Sequence, residues 1–264
     1  MADILNQICT KRLTAVEYMK VEHPLSAIRE AAEAQKGKQR GFIRALSEYH
    51  GPAIISEIKR ASPSAGLIRE QDFHPHHLAQ TLEQAGAAAL SVLTEPDWFD
   101  GHLDHMQAAR AACTIPVLRK DFIIDEWQVY ETASSGADCL LLIVAALTRQ
   151  QLHDYHALAL ELGLDILVEI HTMEELERAA SIESLALIGV NNRNLKTLEI
   201  DVAMSQSLFP MLPKGVLAVS ESGISTPETL FKLYTQGYQA FLVGHALMQD
   251  ESPEQALSTL LGRK

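Results

Sequence analysis

The chain has 264 residues, of which 47% are hydrophobic and 21% charged, and this length and composition fit one globular unit with a substantial core. A formal net charge of −12 at pH 7 argues against binding to a nucleic-acid backbone, because a protein that binds it needs a clustered basic surface. The three cysteines lack the spacing of a disulfide framework or a zinc site, and the longest apolar run, CLLLIVAAL at 139–147, is too short to cross a membrane.

These properties predict an unprocessed cytoplasmic protein that binds neither nucleic acid nor membrane. We expect any phosphate group that it binds to belong to a small molecule. A monomer is the expectation for its oligomeric state, with a weak homo-oligomer left open.

The first part of the chain, residues 1–47, is rich in helix-forming residues, as in REAAEAQKGKQRGF. No linker of Gly, Pro or Ser separates it from the first predicted strand. We therefore expect 1–47 to be an N-terminal helical extension packed on the rest, so that 1–264 forms a single domain.

A repeated joint then appears along the chain, in which a helix ends at a glycine and an apolar strand begins one or two residues later. The glycine at each joint suits the left-handed conformation of a helix C-cap. These glycines are Gly86, Gly136, Gly163 and Gly237. Short, almost uniformly apolar strands are predicted at 53–59, 88–93, 116–121, 138–143, 165–170, 186–191, 216–221 and 240–243, and helices at 125–135 and 173–181. Eight such units predict an α/β fold, the (β/α)8 TIM barrel, rather than a doubly wound sheet.

Charged or amide side chains stand at the carboxyl ends of several of these strands. Because side chains alternate along a strand, Glu57 and Lys59 share the face of Ile55, and Arg60 is turned away from them. The same alternation sets Lys120 on the face of Leu118, Glu169 on that of Leu167 and Glu221 on that of Val219. The sixth strand adds Asn191 and Arg193.

The carboxyl ends of barrel strands meet at one mouth, so these groups are predicted to surround one cavity. Burying an unpaired charge is costly, and repeated charges at one end favour an active site. The alternative is a ring of ion pairs that only closes the barrel.

Glycines open the loops after the last two strands, in SESGIS and LVGHALM. In this fold the backbone N–H groups after strands seven and eight commonly bind phosphate. Gly223 and Gly244 therefore predict a phosphate site.

Seven motifs in chain order resemble the indole-3-glycerol phosphate synthase family over residues 5 to 250. They are IISEIKRASPSAGLI, SVLTEPDWFDG, PVLRKDFIID, GADCLLLI, LVEIHTMEEL, LIGVNNRNLKT and VSESGI. The resemblance implies that a phosphorylated small molecule, 1-(2-carboxyphenylamino)-1-deoxyribulose 5-phosphate, is converted to indole-3-glycerol phosphate with loss of CO2 and water. It also implies that no metal and no organic cofactor takes part.

By this resemblance, Lys120 is the acid that protonates the ribulose carbonyl during ring closure. Glu169, Lys59 and Glu57 share the acid and base work of the later dehydration, and their division of labour stays open. Asn191 and Glu221 match residues that hold substrate hydroxyls and developing charge, and Arg193 is expected to be a binding contact.

The remaining matches are to substrate-binding positions. Phe99 and Phe122, with Ser62 and Pro63 on the first loop, match the slot for the anthranilate ring. The phosphate contacts matched are Lys59, Ser222, Gly223, Gly244 and the following position, which is His245 here instead of the family's usual serine or acidic residue. The histidine predicts a pH-dependent contact with phosphate.

Three histidines in FHPHHLAQ lack a carboxylate or cysteine partner at ligand spacing and are interpreted as the start of a helix. The pairs His102 with His105 and His153 with His156 are interpreted as solvated helix faces.

Two other functions compete with the synthase: a noncatalytic phosphate-binding barrel, which would have lost an acid or base, and an isomerase of the neighbouring pathway step, which would lack this set of lysines and glutamates.

Overall fold

The computed structural model describes residues 4–195 and 197–263. Within those ranges, eight parallel strands form a closed barrel, and each pairs with its neighbours in the chain while the first pairs with the last. The strands are β1 Ala53–Ile58, β2 Ala89–Leu93, β3 Val117–Lys120, β4 Cys139–Ile143, β5 Asp165–Ile170, β6 Leu187–Asn191, β7 Leu217–Glu221 and β8 Ala240–Val243. The predicted (β/α)8 barrel is confirmed, and each strand end lies within one residue of its predicted position.

Three helices precede β1, and the later helices lie between or after the strands along the chain. They are α1 Ile4–Glu22, α2 Leu25–Glu33, α3 Phe42–Ser47, α4 Pro75–Gln84, α5 Pro96–Phe99, α6 Leu103–Ala112, α7 Glu126–Ser134, α8 Arg149–Glu161, α9 Met173–Ala179, α10 Ala203–Leu208, α11 Pro227–Gln236, α12 His245–Met248 and α13 Pro253–Leu260. A short antiparallel hairpin, Ala61–Ser62 with Gly66–Leu67, follows β1. None of these helices is long and apolar enough to cross a membrane.

The four joint glycines have the backbone conformation that the sequence predicted. Their φ angles are 97° at Gly86, 83° at Gly136, 79° at Gly163 and 126° at Gly237. A side chain at such an angle is strained, so glycine ends each helix and lets the next strand start at once.

Alternation along the strands divides the apolar core into two layers. Ile54 and Ile58 of β1 pack between the sheet and its helices, whereas Ile55 joins Leu118 and Leu167 inside the barrel. The predicted charged groups continue this interior layer at the carboxyl ends of the strands. The N-terminal helices also contribute to it, because Leu5 and Ile8 of α1 and Phe42 and Leu46 of α3 belong to the same cluster.

The predicted solvated face is wrong for His156, which is only 4% exposed. It lies in the stripe of α8 that includes Leu152, Tyr155 and Ala159, and this stripe packs on the sheet. Burial lowers the pKa of His156 to about 4, with a smaller contribution from His153. The i, i+3 spacing alone did not reveal which face of the helix was buried.

Candidate active site

One cavity of about 290 Å³ opens at the carboxyl end of the barrel. Every residue that the sequence predicted for the site lines it, although the residues come from seven strand ends and their loops. They are Glu57, Lys59, Ser62, Pro63, Phe99, Lys120, Phe122, Glu169, Asn191, Arg193, Glu221, Ser222, Gly223, Gly244 and His245.

Lys120, at the end of β3, lies between two carboxylates. Its Nζ donates to Glu169 Oε2 at 2.8 Å and to Glu221 Oε2 at 3.3 Å. Burial by itself lowers the pKa of Lys120, but the carboxylates of Glu169, Glu221 and Glu57 outweigh it, so the pKa is raised above that of a free lysine. Lys120 is therefore charged at neutral pH and can act as an acid.

The two carboxylates beside Lys120 differ in charge state. Burial acts to raise the pKa of Glu169, but the charges of Lys120 and His171 dominate and lower it to about 2. Burial raises the pKa of Glu221 well above its usual value, and the neighbouring Glu169 adds to that rise. Two close carboxylates that share one cation ionise unequally, and here Glu169 takes the charge.

A second ion pair lies at the end of β1. Lys59 Nζ donates to Glu57 Oε1 at 2.5 Å, and both side chains are nearly buried. Glu57 acts electrostatically on Lys120 as well. The mouth thus holds two lysine–glutamate pairs that are near enough to influence each other.

Two glycines make room for these carboxylates. A Cβ built on Gly189 of β6 would overlap Glu221 Oε1, and one on Gly244 would overlap Glu57 Oε1. Neither glycine has a positive φ, so another residue could adopt the backbone conformation. Glycine is needed at each position because a side chain would occupy the space of the carboxylate. Glu221 Oε1 is buried and has no hydrogen-bond partner among the described residues.

One side of the cavity presents loops suited to an anion. Ser222 and Gly223 follow β7 with φ angles of 66° and 79°, and Gly244 precedes α12. His245 is the first residue of α12, and burial lowers its pKa, with further lowering by the charges of Lys59 and Arg193. Two cations therefore lie near this pair of loops, as a phosphate site requires.

The opposite side is apolar. The rings of Phe99 and Phe122 have centroids 6.1 Å apart, and Pro63 lies on the hairpin after β1. Ser62, in the same hairpin, accepts a hydrogen bond from the Ala65 N–H at 3.3 Å. The two rings form an apolar wall against which a flat aromatic group can pack.

Asn191 and Arg193 lie between these two sides. The Arg193 N–H donates to Asn191 Oδ1 at 3.0 Å, and Arg193 Nη1 donates to the Leu198 carbonyl at 2.8 Å. Burial lowers the pKa of Arg193, and Glu57 partly opposes this. Arg60, by contrast, is paired with Asp100 at 3.0 Å and does not line the cavity, as alternation predicted.

Sequence reasoning missed three contributions to the site. Ile4, Leu5 and Ile8 of α1 line the cavity, so the first turns of α1 lie at the barrel mouth. Buried Arg12 of α1 makes two hydrogen bonds with Asp121, the residue after Lys120, at 3.0 and 2.7 Å. Asp121 also accepts from Arg119 and Thr94. Burial alone would raise the pKa of Asp121, but the charges of Arg12 and Arg119, with the Thr94 hydrogen bond, lower it.

The third missed residue is His171, which directly follows β5 and lies against Glu169. The signal was present in LVEIHTMEEL, where His171 stands two positions after Glu169, the side-chain period of a strand.

Among the described residues, no three His, Cys, Asp or Glu side chains are grouped as a metal ion would need.

The fold and the site define the class: a (β/α)8-barrel protein with lysine–carboxylate pairs, an apolar slot and anion-binding loops around one cavity. A family model described as indole-3-glycerol phosphate synthase matches residues 5–260. The chain belongs to the indole-3-glycerol phosphate synthase family.

Full-length relatives agree with this assignment. The chain is 46% identical over 263 residues to the indole-3-glycerol phosphate synthase of Chromobacterium violaceum, with 98% of each chain covered. It is 45% identical to that of Laribacter hongkongensis, with 98% of this chain and 99% of the relative covered. It is 44% identical to that of Legionella pneumophila, with 99% of each covered.

Two solved structures share the fold at low sequence identity. A mutant tryptophan synthase alpha-subunit from Pyrococcus furiosus superimposes with a TM-score of 0.58 at 14% identity, covering 80% of this chain and 98% of that one. The 3-hexulose-6-phosphate synthase of Salmonella typhimurium gives 0.61 at 12% identity, covering 80% and 100%. These two matches bear on the fold alone.

Proposed function

We propose that this chain converts 1-(2-carboxyphenylamino)-1-deoxyribulose 5-phosphate into indole-3-glycerol phosphate, CO2 and water, the carboxy-lyase reaction of its family (EC 4.1.1.48). The observation that carries the proposal is Lys120, a buried ammonium held between Glu169 and Glu221 at the barrel mouth. Such a group can protonate a ketone oxygen that is placed in the cavity.

Ring closure is the step assigned to Lys120. As the aromatic carbon attacks the ribulose carbonyl, Lys120 gives its proton to the carbonyl oxygen, which becomes a hydroxyl. The carboxylate then leaves as CO2, and its bonding electrons restore the aromatic ring. Buried Glu221, close to Lys120, and Asn191 hold the substrate hydroxyls and the charge that develops on them.

Dehydration completes the reaction. The new hydroxyl leaves as water with a proton from an acid, and a base removes a proton from the adjacent carbon. The Glu57–Lys59 pair, together with Glu169, provides these groups, because each lines the cavity and has a proton-exchanging partner in contact.

Binding is assigned to the two sides of the cavity. The phosphate group lies against the backbone of Ser222, Gly223 and Gly244, with Lys59 and His245 beside it, since the loops and the positive charge converge there. The anthranilate ring lies in the slot formed by Phe99, Phe122, Pro63 and Ser62, and Arg193 contacts the substrate between the two ends.

We further propose that 1–264 acts as one barrel domain, with 1–47 as its helical extension, because α1 contributes Leu5 and Ile8 to the cavity lining. We place it in the cytoplasm as a monomer. In support, all three cysteines are thiols, which suits a reducing compartment, and one chain supplies every residue assigned to the site.

The test is to mix purified protein with the substrate and follow indole fluorescence, for the wild type and for Lys120→Ala. We expect turnover by the wild type and a loss of about 10²- to 10⁴-fold in Lys120→Ala, as removal of a general acid costs. Lys36→Ala, which changes an exposed lysine, is the matched control.

A wild type that binds phosphate but forms no indole would favour the noncatalytic barrel. An active wild type with an equally active Lys120→Ala variant would keep the function and remove the assignment of the acid.

A further inference from the structure

His171 is a buried histidine whose two ring nitrogens face two different carboxylates. Its Nε2 lies 3.4 Å from Glu169 Oε1, and its Nδ1 lies 3.1 Å from Glu175 Oε2 on α9. The His171 backbone N–H donates to the same Glu175 oxygen at 2.7 Å, which fixes the position of that carboxylate.

The ring nitrogen beside Glu169 is otherwise unsatisfied. Only 8% of the His171 side chain is exposed, and Nε2 has no hydrogen-bond partner among the residues that the structure describes. A buried polar atom of this kind calls for an explanation. A ring protonated at both nitrogens could donate toward both carboxylates.

The proposed reaction, on which this inference rests, consumes a proton. The substrate carboxylate leaves as neutral CO2 and the hydroxyl leaves as water, so one proton is taken up per turnover. The dehydration gives one proton and takes one back, so the net loss falls on Lys120 during ring closure. Lys120 must be reprotonated before the next cycle.

Glu169 contacts Lys120 but cannot store this proton. With a pKa of about 2, it stays ionised as long as Lys120 is charged. Two other acids lie close enough: Glu221, which contacts Lys120 directly, and His171, which lies against Glu169. His171 is favoured because its buried Nε2 has no other partner among the described residues.

We propose that His171 holds the proton that recharges Lys120 and delivers it through Glu169. The Glu169 carboxyl group first turns until Oε1, now 3.4 Å from Nε2, accepts a hydrogen bond from it. The Nε2–H bond then breaks with its electron pair left on Nε2, and the proton binds Oε1. After the carboxyl group rotates, Glu169 gives the proton to the neutral amine of Lys120, which lies 2.8 Å from Oε2.

Protons and charge balance over one catalytic cycle. The three groups begin as imidazolium, carboxylate and amine, and end as imidazole, carboxylate and ammonium, with the same total charge. When product leaves, one proton from the solvent returns to His171, which accounts for the one proton taken up per turnover. Glu175 is a positioning residue that keeps the ring oriented through its contact with Nδ1, and His171 acts through Glu169 without touching substrate.

The experiment compares single-turnover with steady-state kinetics in His171→Gln. The first turnover uses the proton already on Lys120, so with enzyme in excess we expect a rate within about twofold of wild type. With substrate in excess we expect kcat to fall about 10- to 100-fold, as loss of a group that supports a catalytic residue does. A fluorescence burst of one product per enzyme should precede the slow phase.

Two further variants make the result specific. His171→Ala should show the same slow phase, and added imidazole should restore its kcat because imidazole can carry the proton. Glu174→Gln, which changes an exposed carboxylate next to Glu175 on α9, is the matched control and should behave as wild type. Thermal unfolding shows whether each variant is folded.

The outcomes separate this proposal from the proposed function. An inert wild type would remove both. An active wild type with an unchanged steady-state kcat in His171→Gln would assign the recharging to Glu221, the other acid beside Lys120. Equal slowing of both kinetic regimes, or no rescue of a folded His171→Ala by imidazole, would leave His171 a structural residue and overturn the proposal.

Discussion

Gly244 provides the space in which the carboxylate of Glu57 lies, because a Cβ at position 244 would overlap Glu57 Oε1. The two residues are far apart in sequence but meet because β1 and β8 are neighbours in the closed barrel. The loop expected to hold phosphate and the carboxylate expected to act in catalysis are thus in direct contact. A change in one should disturb the other.

Gly244→Ala should lower kcat and weaken substrate binding together, since the new methyl group displaces Glu57 from its bond with Lys59. The steric cause can be isolated with Glu57→Gly, which removes all three side-chain atoms that the methyl would meet, Oε1, Cδ and Cβ. We expect the double variant to have the same kcat as Glu57→Gly alone, a strong departure from additivity. Steady-state kinetics of the three variants measure it, and losses that simply add would contradict the steric explanation.

Glu169→Gln should retain substrate affinity and lose turnover. The amide keeps the size of the side chain but cannot exchange a proton with Lys120, so we expect kcat to fall by about 10²- to 10⁴-fold with KM within about threefold. Glu177→Gln, an exposed change on α9, serves as the control. Weakened binding at an unchanged kcat would assign Glu169 to binding alone.

His245 should make anion affinity depend on pH. Burial and nearby cations lower its pKa below the usual value of 6.5, so His245 is neutral at pH 7.5 and gains charge as the pH falls. We expect sulfate, which stays a dianion throughout, to bind more tightly as pH falls from about 7.5 to 5.5.

The measurement is a calorimetric titration of wild type and His245→Asn, with exposed His50→Asn as the control. The rise in affinity should be lost in His245→Asn and kept in His50→Asn. The same pH dependence in wild type and His245→Asn would show that another group is responsible.

Arg12→Ala should destabilise the fold. It removes a buried guanidinium from Asp121, whose carboxylate is fully buried, and breaking one partner from such a pair costs about 3 kcal/mol or more. Lys20→Ala on the same helix breaks a more exposed pair with Asp125 and should cost about 1 kcal/mol or less. Urea unfolding of the two variants provides the comparison, and equal losses would show that α1 is not anchored through Arg12.

Much of the site could be predicted because strand alternation is a local property. The period of two places Glu57, Lys120, Glu169 and Glu221 on interior faces, and parallel strands bring their ends together. The contacts that α1 makes were not predictable in this way. Arg12 and Asp121 are 109 positions apart, and neither the sequence around Arg12 nor its helical pattern indicates its partner.

Helix faces show the same limit. The interpretation of His156 was wrong because the spacing of two histidines does not say which side of α8 faces the sheet. His171 was missed for a related reason, since its orientation depends on Glu175, which α9 brings back to it.

The sequence by itself determined the fold, because glycine C-caps, strand length and side-chain alternation act over a few neighbouring residues. It indicated the family through the resemblance of seven motifs in chain order. Only the tertiary structure decided the charge states at the barrel mouth. Lys120 is separated by 49 positions from Glu169 and by 101 from Glu221, yet the three are in contact and buried. Their pKa values depend on that burial and those distances, so the folded barrel, and no segment of it, sets which group carries a proton.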